Sequence, residues 1–409
     1  MKKNHYLYNI VLCVVLFFLS ACSTGTGSDD EGSSNGSGDN PPVPASPASS
    51  SISFTKGSYV ARLVGSGVYE NPASGGGDGA LSFTSSVPSV ATVDAASGLV
   101  TLVGAGKTVI TASRLASSGF EASSASYTLS VTLPPVMVPV PDGKFVRDSD
   151  ASNETEMTSS YNMGAYEVTV DQYMAVTGLP NPSTYFTSVD NGPVQSVSFF
   201  DALVFCNRLS VAMGLTPVYS IGGSTNPDAW GTVPNGRNTT WNAVVCDWDA
   251  NGYRLPTRLE WYWAAMGATF DRTRGYGGTG VNVHGILKYF SGNTEDYPDY
   301  NYINDYVWYK DTSGGTTHPV GQKSANELGI YDMSGNVAEL CWDFSGDPPY
   351  PAGTVSSNTP DGKGPATGLD RIVLGGYWDT VVSKCQIILT DAQGGYYRSR
   401  FTGFRVARK

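Results

Sequence analysis

The chain has 409 residues, with 36 acidic and 25 basic side chains and a formal net charge of −11. That balance disfavours nucleic acid as a partner and electrostatic docking onto anionic lipid. Charged residues make up only 15%, while Gly (48), Pro (24), Tyr (24) and Trp (8) are plentiful. This mix suits a strand- and loop-rich exported protein and argues against a helical bundle or coiled coil. At about 150 residues per domain, the length suggests two or three domains. The three histidines, His5, His284 and His318, are too few for a multi-histidine catalytic metal site.

The first elements form an address. Lys2 and Lys3 precede an apolar run from Ile10 to Leu19, too short for a membrane span of about 20 residues. The sequence Leu19-Ser20-Ala21-Cys22 follows at once and resembles a bacterial lipobox. The resemblance implies that residues 1–21 are a signal peptide and that Cys22 carries lipid, so that the protein is anchored to a lipid bilayer. Residues 22–51, rich in Ser, Gly, Asp, Asn and Pro, have too little apolar surface to offset the entropy of ordering and are expected to form a flexible tether. Its mean span is about 30 Å. Cys206, Cys246, Cys341 and Cys385 remain. They allow three pairings, or all four are free and buried.

Residues 52–134 alternate with period two between turns. Ser89–Val93, Leu99–Val103, Thr108–Ala112 and Tyr127–Val131 read as strands, with turns at Ser97-Gly98 and Gly104-Ala105-Gly106. This pattern predicts an all-β sandwich. The run from Ser86 to Ala112 resembles bacterial Ig-like domains of group 2, which implies a spacer or adhesive module.

Pro134-Pro135 opens the second region, residues 135–409. Met137 to Phe145 reads as a strand entering a Gly turn. Three helix starts follow: Thr169 with Gln172, Ser198 with Asp201, and Thr257 with Glu260, closed by Gly178, Gly214 and Gly267. Each pairs a capping hydroxyl with an acid or amide three residues on. Three short helices among long Gly-, Asn-, Tyr- and Asp-rich stretches predict an irregular α+β domain.

A series of motifs runs through this region in order: Tyr166-Glu167-Val168-Thr169, Cys206-Asn207-Arg208-Leu209, Gly252-Tyr253-Arg254-Leu255-Pro256-Thr257, His318-Pro319-Val320-Gly321, Tyr331 to Val337 with Glu339, Gly375-Gly376 and Gly403-Phe404-Arg405. The ordered set resembles the formylglycine-generating enzyme (sulfatase-modifying factor) family, which implies a C-type lectin fold. Family enzymes oxidise a sulfatase cysteine with copper held by two thiolates, four and nine residues after the Gly-Gly pair. Here those positions are Thr380 and Cys385. A hydroxyl is no substitute for a soft thiolate ligand, so the resemblance does not carry the activity and no cofactor is required. The resemblance also implies a structural calcium site from the side chains of Asp332 and Glu339 and the carbonyls of Gly335 and Val337, a hard-oxygen set suited to that ion. A hydrogen-bonded loop without metal is the equal alternative.

The last forty residues have a family-like frame around a middle without family character. This resembles the variable lipoproteins of diversity-generating retroelements, the treponemal ones especially, with a variable region at about 371–409. In such proteins mutagenesis at template adenines diversifies the positions that contact ligand. The expected contacts are Tyr377, Asp379, Thr380, Val381, Val382, Ser383, Lys384, Ile388, Thr390, Asp391, Ala392, Tyr396, Tyr397 and Arg400, a mixture of rigid aromatic and adaptable polar groups as in antibody loops. Trp378 is expected to be scaffold. The resulting expectation is a non-catalytic lipoprotein on the bacterial outer-membrane surface that binds a protein or glycan, and not nucleic acid. The alternatives are an oxidase acting on protein cysteine and a purely structural envelope protein. Replacing Cys22 by Ala should move the protein from the detergent to the aqueous phase in a partition assay; retention with the detergent would contradict lipidation at Cys22.

Overall fold

The computed structural model describes Ala48 and residues 51–409 except 76, 118, 147–153, 158, 184, 187–188, 269–288, 293–299 and 347–366. The signal, Cys22 and nearly all of the tether lie outside the described residues, as does His284. Among the described residues no helix is long and apolar enough to cross a membrane.

The N-terminal module contains β1 (Ile52–Phe54), β2 (Tyr59–Leu63), β3 (Val68–Tyr69), β4 (Ala73–Gly75), β5 (Leu81–Ser85), β6 (Ala91–Val93), β7 (Val100–Leu102), β8 (Gly106–Arg114) and β9 (Ser123–Thr132). They form a four-stranded sheet in the order β2-β9-β8-β5, a three-stranded sheet β3-β7-β6 and the pair β1-β4. Strand β2 runs parallel to β9, whereas β8 is antiparallel to both β5 and β9. The period-two alternation has a direct outcome. Thr108, Ile110 and Ala112 of β8 are buried while the residues between them face outward, as one-sided burial of a strand requires. Val60, Tyr69, Ala91, Val100, Ile110, Tyr127, Leu129 and Val131 close the sandwich core.

The second module holds β10 (Met137–Val140), β11 (Gly143–Val146), β12 (Glu154–Met157), β13 (Tyr161–Gly164), α1 (Val170–Thr177), α2 (Phe199–Ala212), β14 (Tyr219–Ser220), α3 (Thr239–Asn242), β15 (Val245–Cys246), α4 (Arg258–Ala265), α5 (Tyr300–Ile303), β16 (Ala338–Phe344), β17 (Asp370–Leu374), β18 (Thr390–Gly394), β19 (Thr402–Gly403) and β20 (Ala407–Arg408). The three expected capping boxes are all formed, at Thr169, Ser198 and Thr257. The four-residue helices α3 and α5 are additions that no apolar period announced. The main sheet has the order β18-β17-β16-β19, and β20 returns beside β13. Two aromatic cores fill the interior, one around Phe199, Phe200, Phe205, Tyr219 and Phe404, the other around Trp261, Tyr262 and Trp263. Among the described residues Cys206, Cys246, Cys341 and Cys385 are all buried.

The two modules are joined by more than the chain. Leu63 of β2 belongs to the core of the second module. Asp171, in the first turn of α1, accepts hydrogen bonds from Tyr59 Oη and Ser130 Oγ, both at 2.7 Å. An acid here also faces the positive end of the helix dipole.

Arg254 and Glu260 form a buried two-point pair, with Nη1–Oε2 and Nη2–Oε1 both at 2.6 Å. Glu260 also accepts from the Thr257 backbone N–H at 2.9 Å, so one carboxylate closes the capping box and neutralises the arginine. Glu260→Ala should therefore lower the unfolding free energy by about 3–5 kcal/mol, because it strands a buried guanidinium. A urea midpoint within error of the parent would contradict this role.

Candidate functional site

The frame begins at Glu339 on β16. Its carboxylate receives Arg405 Nε and Nη2, each at 2.6 Å, and Trp261 Nε1 at 2.7 Å. Arg405 then donates to the carbonyls of Gly164 at 2.9 Å and Tyr331 at 2.8 Å. Beside this pair, Glu167 accepts from Asn336 Nδ2 at 2.7 Å and from the Val337 backbone N–H at 3.0 Å. Burial, reinforced by the charges of Asp332 and Glu339, pushes the Glu167 carboxyl well above the usual range. Asp332 accepts from the Gly321 N–H through Oδ2 at 2.7 Å, and its Oδ1 is buried without a hydrogen-bond partner. Burial pushes Asp332 up to about 6.

The two side chains of the expected calcium set differ in what they already bind. A lone Oδ1 on Asp332 would suit a cation, but both oxygens of Glu339 are already taken by N–H donors. The guanidinium of Arg405 supplies the positive charge that a metal would bring. The loop is shaped by backbone instead. Asp332 and Asn336 adopt left-handed conformations, at φ 55° and 58°. Gly335 lies so close to Trp308 that a Cβ would sit 2.2 Å from its carbonyl oxygen.

Strand β17 leads from this frame into Gly375-Gly376. Gly376, at φ 70°, approaches Cys385 so closely that a Cβ would meet its sulfur at 2.8 Å. Cys385 lies in a buried cluster with Phe290, Ile303, Val307 and Tyr309. Burial pushes its thiol up to about 12, so it holds its proton at neutral pH and is a poor nucleophile and metal ligand. Thr380, at the other expected thiolate position, is half-buried and its carbonyl accepts from the Lys310 N–H at 3.0 Å. Trp378 is buried, 5% exposed. Its N–H reaches the Asn336 carbonyl at 2.9 Å and its carbonyl accepts from Ser313 Oγ at 2.7 Å.

Around this anchor the expected contact residues divide. Asp379, Val381, Ser383, Lys384, Thr390, Asp391, Ala392 and Tyr397 are exposed. Of the first four, Asp379 and Val381 lie on the loop that enters a short 3₁₀ turn, Val382–Cys385, and Ser383 and Lys384 lie within that turn. The next three lie on β18, the outer strand of the sheet. Register brings the two segments to one end of the sheet, because Thr390 pairs with Leu374, directly before Gly375-Gly376. Tyr377, Thr380, Val382, Ile388, Tyr396 and Arg400 are half-buried. Val382 packs against the Cys385 cluster, Ile388 against the Trp261 core, and Tyr377 and Tyr396 against the Phe199 core. These six offer only part of their surface to a partner.

The structure adds residues that sequence reasoning missed. Tyr377 stacks on Phe401 with centroids 4.3 Å apart, and Phe186 meets Trp378 edge-on at 5.0 Å. Arg400 lies over Tyr185 at 4.6 Å and over Phe401 at 4.7 Å. Tyr185 and Phe186 are about 190 residues away in sequence, in a loop without periodicity, so only a long-range contact could reveal them. Because Arg405 is the cation of the frame, adding calcium or chelating it with EDTA should leave the thermal midpoint unchanged. A calcium-dependent rise of several degrees would restore the metal site.

The profile of the sulfatase-modifying factor enzyme 1-like domain matches residues 124–409, and that of the intimin immunoglobulin-like domain matches residues 68–115. Chaperone protein LppX of Paenibacillus barcinonensis is 34% identical over 254 residues, spanning 61% of this chain and 81% of that protein. The formylglycine-generating enzyme of Thermomonospora curvata is 28% identical over 177 residues, which are 42% of this chain and 54% of the enzyme, so the chain spans about half of that relative. Among solved structures, Treponema denticola variable protein 1 aligns with a TM-score of 0.55 at 30% identity, covering 69% of this chain and 95% of that one. The second module thus has the C-type lectin fold in its formylglycine-generating-enzyme form, preceded by an Ig-like module. A profile match over well more than half of its length establishes that the chain belongs to the sulfatase-modifying factor enzyme 1-like family.

Proposed function

We propose that the second module presents a diversified ligand-binding surface on a lipid-anchored protein of the bacterial cell envelope, and that it performs no oxidation chemistry. One observation carries the reading: eight exposed side chains on the 379–384 loop, β18 and Tyr397 sit directly on a buried, hydrogen-bonded frame. Val381 and Tyr397 are 55% and 54% exposed. Large apolar groups this open, beside adaptable Asp, Ser and Thr, suit recognition. Likeness to a variable protein at 30% identity supports the same reading, as does a thiol at Cys385 that is buried, protonated and without a second cysteine at position 380. The partner is a protein or a glycan, reached across the envelope by the tether from Cys22.

Diversification through template adenines would leave a mark in the gene. A near-identical copy of the 3′ end should lie beside a reverse transcriptase, differing at adenines. The proposal separates binding from stability. Replacing Val381, Ser383, Lys384 and Tyr397 together by Ala should abolish binding to a partner selected by display. Stability should change little, because exposed substitutions cost within about 0.5 kcal/mol each. Trp378→Ala should cost about 3–5 kcal/mol by emptying a buried site. If the fourfold variant unfolds while Trp378→Ala stays folded, surface and scaffold have been interchanged and the reading fails.

A further inference from the structure

A cleft of about 790 Å³ lies where β2 of the Ig-like module faces α1 and the loop after it. Its volume falls in the range of small-molecule sites. The lining is two-sided in chemistry. At one side Lys56 Nζ and Arg62 Cζ both lie over the ring of Tyr69, 4.8 and 4.0 Å from its centroid. At the other, Met174, Leu179 and Val189 present apolar surface, with Leu179 45% exposed.

The two cations lack acidic partners. Lys56 donates to the Glu70 carbonyl at 2.7 Å and Arg62 to the Ala61 carbonyl at 2.7 Å, and neither takes part in an ion pair among the described residues. Of the acids of the cleft, Asp190 pairs with Lys107 at 2.5 Å and Asp171 keeps its charge while accepting from the hydroxyls of Tyr59 and Ser130, so that Lys56, Arg62 and Lys107 outnumber the two carboxylates. Tyr69 is 6% exposed and its hydroxyl is buried without a hydrogen-bond partner. Lys56 and Arg62, both held over the Tyr69 ring, leave the cleft with a net positive charge in a chain of net charge −11, the complement of one anionic group. The cavity around them is mostly lined by hydrocarbon.

From this we infer that the cleft between the modules is a binding site for a small organic carboxylate with an apolar body, its carboxylate placed at Lys56 and Arg62 and its hydrocarbon against Met174, Leu179 and Val189. A neutral analogue would lose the charge-assisted hydrogen bonds, and a headgroup alone would lose the apolar burial.

The test is calorimetric titration of the full chain with octanoate, octanol and acetate. Octanoate should bind with one site per chain, and octanol and acetate each about tenfold more weakly or worse. Arg62→Gln and Lys56→Gln should each weaken octanoate by about tenfold while leaving the thermal midpoint of the free protein in place. The inference is overturned if octanoate does not bind at millimolar concentration, if octanol binds as well, or if both variants bind octanoate like the parent. The fourfold surface variant described above should retain octanoate binding, which separates this site from the proposed recognition face; its loss there would place the carboxylate at that face and overturn the cleft assignment.

Discussion

Arg405 and Glu339 meet in the interior with side chains 0% and 1% exposed. Removing two such charges from water is costly, and only two-point geometry with every remaining donor satisfied makes the arrangement tolerable. Here that condition gathers distant parts of the chain. Arg405 precedes β20, Glu339 is the second residue of the inner strand β16, Gly164 ends β13, Tyr331 opens the loop with Asp332, and Trp261 belongs to α4. Displacing any one of them leaves a charge or an N–H unpaired in the core. The pair therefore specifies one packing of strands, loop and helix.

A frame with that much internal specification can leave its outer edge free. Between the Gly375-Gly376 turn and the strand Thr402–Gly403, the main-chain course is held by buried groups: Trp378, Cys385 and Ile387 are almost wholly enclosed. Asp379, Val381, Ser383, Lys384, Asp391 and Ala392, on the loop and β18 between them, are exposed, whereas Thr380 and Val382 are half-buried. Buried and exposed residues are thus interleaved in one short segment, and substitutions in the exposed set need no compensating change inside. Cys385 is a packing residue in a tight approach to Gly376, and Thr380 is half-buried beside Lys310.

Much of this was legible in the sequence because the signals are local. Thr169, Ser198 and Thr257 each announce a helix start with an amide or acid three residues on, and all three capping boxes form. Alternation in Thr108–Ala112 and Tyr127–Val131 locates the long strands β8 and β9. What was not legible depends on distance. The partner of Glu339, Arg405, is 66 residues away. The burial of Cys206, Cys246, Cys341 and Cys385 is likewise a matter of where strands and helices finish. The apolar clasp of Tyr185, Phe186 and Phe401 around Trp378 and Arg400 joins segments with no shared period, and the union of the two modules through Asp171 joins a helix cap to a sheet.

The claim on which this account turns is that one segment carries both scaffold and recognition surface in separable sets of residues. Saturation mutagenesis of residues 371–409, read by protease resistance of the displayed full chain, tests it directly. The account predicts broad tolerance at Asp379, Val381, Ser383, Lys384, Thr390, Asp391, Ala392 and Tyr397, and sharp loss of resistance at Trp378, Cys385, Ile387, Gly403 and Arg405. Equal sensitivity of the two sets, or tolerance at Arg405 and Trp378, would contradict it.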